Sequence, residues 1–444
     1  MRIDVPDSDL HYHLVNFDKH GSERDENGAL ASNQLVALLG AAVAPVTDVF
    51  LLSHGWKGDV PAAIQQCNDW IGQMGRMTED RAKIRALRPG FNPLIVGIHW
   101  PSQPWGDEKL GGGSGDDGTG GRVLSDDEPN VDALVEEYAH GIADTPRARQ
   151  LLREIFELGA NQDSADPLDP ALAQAYLELR EEAGLENDED LGDDTPAHWN
   201  PRECCDAAAS GDIGDGGRLL GGGGGIGNAV LSPLRQLSFW KMKNRARSVG
   251  EAGASALLRK LQGAAPAHAR FHLMGHSFGC IVVSAAIAGE PGGTAPRPVH
   301  SALLVQGALS LWAYCSDIDG SPGYFHSIIK DKKVRGPLVT TRSQYDSAVG
   351  KYYPMGAGIA GQKTLAELPK YGGVGSFGLQ GLAALAQDRL IGSASEDYGF
   401  VAGRVYNLDA GSVIRNGEGA SGAHSDIAHP EVAHAAWQAI MAGL

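Results

Sequence analysis

Phe271-His272-Leu273-Met274-Gly275-His276-Ser277-Phe278-Gly279 is an apolar run that ends in Gly-x-Ser-x-Gly. A serine in this setting sits on a sharp strand-to-helix turn, with its hydroxyl pushed out at the end of a sheet. Gly275 and Gly279 suit that turn, where crowded backbone leaves no room for a side chain. Phe278-Gly279-Cys280-Ile281-Val282-Val283-Ser284-Ala285-Ala286-Ile287 follows, and its apolar and small residues read as a buried helix. The five-residue pattern also occurs around ordinary turn serines. Strand, turn and helix together make Ser277 a candidate nucleophile.

A nucleophile that attacks a carbonyl needs two donors for the oxyanion it creates. One is the backbone N–H of the next residue, Phe278. The other is expected on a loop after an earlier central strand. Asp48-Val49-Phe50-Leu51-Leu52-Ser53-His54-Gly55-Trp56 supplies that loop. Residues 49–53 read as a buried parallel strand, too short for a helix. Gly55 lets the backbone come close, which makes the N–H of Trp56 the second donor.

An acid and then a histidine are expected later in the chain. Residues 336–341 look like the start of a strand, and Arg342-Ser343-Gln344-Tyr345-Asp346 reads as a polar loop after it. Asp346 is the leading acid, placed to orient an imidazole and stabilise its cation. Asp317, Asp319 and Asp409 are its rivals, each in a loop after a strand. Near the C-terminus, Pro430 opens an amphipathic helix carrying Val432, Ala436, Trp437 and Ile440. His424 lies in the loop before it, where a general base must sit. His429 directly precedes the helix and is the runner-up, while His434 falls inside the helix as a packing or surface residue. His424, Asp426, His429 and His434 do not match a metal-ligand spacing, so no metal is expected.

The elbow at 275–279, the His54-Gly55 turn, a later Asp and a final His resemble the α/β-hydrolase superfamily. A closer likeness is to poorly characterised bacterial α/β-hydrolases with a strand ending in Trp-Pro-Ser. Here that strand reads Leu94-Ile95-Val96-Gly97-Ile98-His99-Trp100-Pro101-Ser102. The resemblance covers roughly 45–106 and 235–444. It implies an α/β-hydrolase fold, with a mostly parallel central sheet flanked by helices. It also implies a cofactor-free serine hydrolase acting on esters, thioesters or lipids, and it names no substrate, because the fold hosts many chemistries. Rival readings are a lipase or phospholipase effector acting at membranes, a peptidase, and a non-catalytic binding protein on the same scaffold.

At 444 residues and 42% hydrophobic content, the chain can bury a large core. Its net charge of −18 disfavours nucleic acid and simple electrostatic attachment to an anionic membrane. The first 21 residues lack the apolar core of a secretory signal, and no segment approaches the length of a membrane span. Five cysteines are too few, and odd in number, for a disulfide framework. A cytoplasmic location is expected, with signal-independent export as the alternative.

The core is read as 1–106 and 235–444, interrupted twice. Residues 107–234 begin with the glycine-rich stretch 111–121, continue through helical patterns near 131–159 and 170–183 into the acidic run 181–194, and close on Gly221–227. They read as a mostly helical, glycine-flanked insertion able to cover a site. Gly222-x-Gly224-x-x-Gly227 is no dinucleotide fingerprint, because no strand precedes it. The basic segment 233–262 reads as a helix packed on the sheet; the sharper reading uses Phe239 and Trp240 as a lipid contact. Residues 347–399, low in charge and rich in glycine, read as a second insertion, with a final strand over 401–408.

Overall fold

The computed structural model describes residues 1–25, 28–40, 45–56, 60–102, 131–162, 167–185, 199–209, 228–294, 296–318, 320–352, 368, 372–417 and 421–443. The glycine-rich stretch 111–121, most of the acidic run, the Gly222–227 pattern, Asp319 and the segment 355–361 lie outside them.

One nine-stranded sheet organises the described residues. Its strands in chain order are β1 (Arg2–Asp4), β2 (His11–Asn16), β3 (Asp48–Ser53), β4 (Pro93–His99), β5 (Arg270–His276), β6 (Ser301–Val305), β7 (Leu338–Arg342), β8 (Ala386–Leu390) and β9 (Val405–Asp409). The spatial order is β1-β2-β4-β3-β5-β6-β7-β9-β8. Only the β1–β2 pair is antiparallel; the other pairs are parallel. The chain leaves β3 for β4 on one side and returns to β5 on the other. The strand order therefore reverses between β3 and β5. In an open α/β sheet, such a reversal opens a crevice at the carboxyl ends of the two strands.

Both faces of the central strands are apolar, as parallel strands covered by helices require. In β3, Val49 and Leu51 join one core cluster with helices Ala31–Leu39, Ser255–Ala264 and Gly279–Ala288. Phe50 and Leu52 join the opposite cluster with Val60–Arg76 and Pro430–Ala442. The last helix matches its expected amphipathic face: Val432, Ala436, Trp437 and Ile440 are all buried.

Two strands escape the sequence reading. β8 falls inside the stretch read as a second insertion and pairs in parallel with β9. Its sequence, Ala-Gln-Asp-Arg-Leu, carries no apolar run because it is an outer strand, half-exposed along its length. β1 is shorter still, three residues against five, and lies outermost, antiparallel to β2. The final strand also starts late, at Val405, leaving Val401 exposed.

The helices Val131–Ile142, Pro146–Ala160, Pro170–Glu182 and Pro201–Ala209 build a third apolar cluster. Two of them start on side-chain caps. Thr145 accepts from the Ala148 N–H and Asp169 from the Ala171 N–H, each satisfying a backbone donor at a helix end. The helix Asn228–Ser248 runs unbroken across the expected boundary at 235. Leu231, Leu234, Leu237 and Trp240 pack in the third cluster, and Met242 and Ala246 in the sheet's first cluster. Trp240 is fully buried, stacked edge-on to Trp199. It therefore cannot offer the lipid contact of the sharper reading. No described helix is long and apolar enough to cross a membrane.

A buried charge pair pins the closing helix. His434 Nδ1 lies 2.7 Å from Asp80 Oδ2, and its Nε2 lies 2.7 Å from the Glu396 carbonyl oxygen. Both partners only accept, so both ring nitrogens carry protons and the ring is an imidazolium. Burial pushes its pKa down, but the Asp80 and Glu396 hydrogen bonds outweigh that and raise it above 6.5. The pair's stabilisation is thus complete below about pH 6.5 and fades as pH rises through the raised value. Removing the ring strands a buried carboxylate. His434→Ala is expected to cost roughly 3–5 kcal/mol in denaturant unfolding near pH 6. The gap to wild type should narrow as pH rises; a gap constant from pH 6 to 9 would show that the ring is neutral throughout.

Candidate active site

Local sequence sets the elbow at the end of β5. Ser277 has φ +56°, in the left-handed region that L-residues rarely adopt. A Cβ on Gly279 would lie 2.3 Å from the Ser53 carbonyl oxygen, and one on Gly275 would lie 2.5 Å from the Gly279 oxygen. The elbow therefore closes only with glycine on both sides of the serine. The register pairs Ser53 of β3 with Gly275 of β5, so the turns after both strands lie side by side. A Cβ on Gly55 would sit 2.6 Å from the Ser277 Cβ. The His54-Gly55-Trp56 turn is thus pressed against the serine.

Three loops at the carboxyl ends of the strands meet here. Ser277 Oγ lies 2.7 Å from His424 Nε2, and His424 Nδ1 lies 2.8 Å from Asp346 Oδ2. All three residues are buried, with His424 the most open at 9%. The acid and histidine loops are also joined through backbone, since the Ala423 N–H donates to the Tyr345 carbonyl at 2.9 Å. The Asp346 carboxylate is held at both oxygens. Oδ2 accepts from Gln306 Nε2 at 2.8 Å as well as from His424, and Oδ1 accepts from the Val349 N–H at 2.9 Å. Gln306 holds this position with φ +47° at the end of β6, its Oε1 accepting from Thr341 Oγ1.

The N–H groups of Trp56 and Phe278 donate to no acceptor among the described residues. Both flank the serine, one in each turn. Around them the Trp56 ring packs on Phe278 and Phe239, with centroids 5.7 Å and 6.4 Å away. Phe239 belongs to the helix Asn228–Ser248, which ties the helical layer to this turn.

The rival residues lie elsewhere. Asp317 is exposed and caps its own loop by accepting from the Gly320 N–H. Asp409 faces Arg342 at 3.4 Å. His429 pairs with Asp426 Oδ1 at 2.8 Å, while Asp426 Oδ2 accepts from the Arg415 and Asn416 N–H groups. Among the described residues no cluster of His, Cys, Asp or Glu could hold a metal. All five cysteines are free and buried.

A second serine–histidine–aspartate array occupies the opposite end of the sheet. Ser301 Oγ lies 2.8 Å from His272 Nδ1, and His272 Nε2 lies 3.3 Å from Asp48 Oδ1. Ser277 lies five residue steps beyond His272, about 16 Å at the usual strand rise. Burial lowers the His272 pKa despite the Asp48 hydrogen bond, and Arg88 takes the same carboxylate oxygen at 2.6 Å. No left-handed turn presents Ser301 at a strand's carboxyl end, so this array ties strands together.

No protein-family model matches the chain, and no curated protein or solved structure matches it at a significant level.

Proposed function

We propose that the chain is a serine hydrolase of the α/β-hydrolase superfamily, cleaving carboxylic esters through an acyl-enzyme on Ser277. One observation carries this: the hydrogen-bonded line Ser277–His424–Asp346, drawn from three loops at the carboxyl ends of the strands, with Ser277 beside the reversal of strand order. His424 Nε2 takes the proton of Ser277 Oγ as that oxygen attacks the carbonyl carbon. The developing oxyanion faces the Phe278 and Trp56 N–H groups. Losing one such donor typically costs about a hundred- to a thousandfold in rate. Asp346 accepts a hydrogen bond from the Nδ1–H, which keeps that proton on Nδ1, leaves Nε2 free as the base and stabilises the imidazolium. His424 then protonates the leaving alcohol. Water, deprotonated by His424, releases the acid.

The aromatic wall of Trp56, Phe239 and Phe278 beside the donors favours esters with an apolar acyl part. Every chemical step draws on groups of this chain. A fluorophosphonate probe tests the reading. It should label Ser277 stoichiometrically in native protein, and heat-denatured protein should not react. Native protein that stays unlabelled, while a known serine esterase in the same tube reacts, would remove the activated nucleophile.

A further inference from the structure

The turn carrying the Trp56 donor is gripped on both of its peptide groups by side chains from other elements. A trans peptide points its C=O and N–H in opposite directions, so holding one end of the plane aims the other. The Gly55 carbonyl belongs to the same peptide as the Trp56 N–H. That carbonyl accepts from Ser102 Oγ at 3.0 Å and from His54 Nδ1 at 2.8 Å. His54 is neutral, its pKa pushed down to about 3 by burial and by the neighbouring His99. Its one proton sits on Nδ1, because Nε2 accepts from the Trp100 N–H at 3.3 Å.

The preceding peptide is held from the other side. The Gly55 N–H donates to Gln66 Oε1 at 3.1 Å. A backbone N–H only donates, so the Gln66 amide orientation is fixed and its Nε2 must donate to His276 Nδ1, 2.7 Å away. His276 then carries its proton on Nε2 and donates to the His424 carbonyl oxygen at 2.9 Å. A single one-way chain thus runs from the donor turn, through Gln66 and the residue before the nucleophile, to the backbone of the base.

We infer that Ser102 and Gln66 are positioning residues of the proposed reaction, fixing the two peptides of Gly55 so that the Trp56 N–H meets the oxyanion. The inference rests on the acyl-transfer reading. It gives the Trp-Pro-Ser strand end a physical purpose, since Ser102 is its last residue. Neither side chain touches the reacting atoms, so neither is needed to bind the ester ground state. Donors already oriented before reaction cost no reorganisation, and a donor left to wander loses part of its effect.

Ser102→Ala, Ser102→Thr and Gln66→Met would be compared with wild type on p-nitrophenyl butyrate. Ser102→Ala and Gln66→Met should each lower kcat about ten- to a hundredfold, less than the loss of a whole donor, with KM within about twofold. Affinity for a trifluoromethyl ketone, whose Ser277 adduct carries the oxyanion, should fall in parallel. Ser102→Thr keeps the hydroxyl and should recover most of the rate. Fluorophosphonate labelling of wild type is run alongside. Labelled, active wild type with unchanged kcat in both variants overturns the positioning roles alone. A loss confined to KM, or no recovery in Ser102→Thr, does the same. Wild type that neither labels nor turns over sinks the acyl-transfer reading itself. Should Ser102→Ala fail to fold, Gln66→Met decides.

Discussion

Ser277→Ala is expected to lower kcat/KM for short p-nitrophenyl esters by roughly 10⁵- to 10⁶-fold, with an unchanged unfolding transition. The size follows from what is lost and what stays. The variant removes the only atom that bonds to the substrate carbon in the proposed reaction. His424 and Asp346 keep their own contact at 2.8 Å, and both N–H donors remain. Those donors and substrate binding still supply about a thousandfold over water, which sets the floor. Stability should hold for local reasons. Alanine tolerates φ +56° no worse than serine does, and the elbow is closed by Gly275 and Gly279 packing. The deleted oxygen's one described partner is His424 Nε2. Initial rates on purified variant, with a thermal melt alongside, read both outcomes. A variant that folds and keeps the wild-type rate would rule out Ser277 as nucleophile.

The parts of this site that sequence makes legible are the ones whose cause is local. Ser277 and its glycines are written within five residues because the crowding they relieve lies within that turn and the adjoining β3 end. Gly55 is legible only beside the serine elbow, since a glycine that merely ends a strand in a turn looks the same. Asp346 and His424 follow from chain order and loop position, and the structure brings both to Ser277. Gln306, Gln66 and Ser102 leave no such mark. Each is a single polar residue whose role the sequence does not state, Ser102 included although its Trp-Pro-Ser stretch stands out, and each has a partner 40, 210 or 47 positions away along the chain. Only the packed sheet brings the partners together. β8 is hidden for a related reason: an outer strand borrows its order from β9 and needs no apolar pattern of its own. The array of Ser301, His272 and Asp48 is the reverse lesson. Residue types and contact distances resemble those at Ser277, yet the group sits at the amino ends of the strands without a turn that presents the hydroxyl.

Asp346→Asn should cost about 10⁴-fold in kcat while the protein remains folded, and the reason lies in proton bookkeeping at one carboxylate. Three donors converge on Asp346: His424 Nδ1 and Gln306 Nε2 on Oδ2, and the Val349 N–H on Oδ1. An amide offers one acceptor end and one donor end. If its oxygen faces His424, its NH₂ meets the Val349 N–H, a backbone donor that cannot turn away. If its NH₂ faces His424, the imidazole relieves the conflict by moving its proton to Nε2. That tautomer donates to Ser277 and cannot accept its proton, so the base is lost although every atom stays in place. In the second arrangement Gln306 Nε2 also meets the new NH₂, but a side chain can turn away where the Val349 backbone cannot, so the second arrangement is favoured. The loss should therefore appear in kcat with KM nearly unchanged, and should shrink at high pH, where hydroxide attacks without the base. Asp346→Ala, which frees His424 to choose either tautomer, should be no slower than Asp346→Asn. An Asn variant within tenfold of wild type at pH 7 would mean that the carboxylate does not set the tautomer of His424, and Asp346 would then be a loop anchor only.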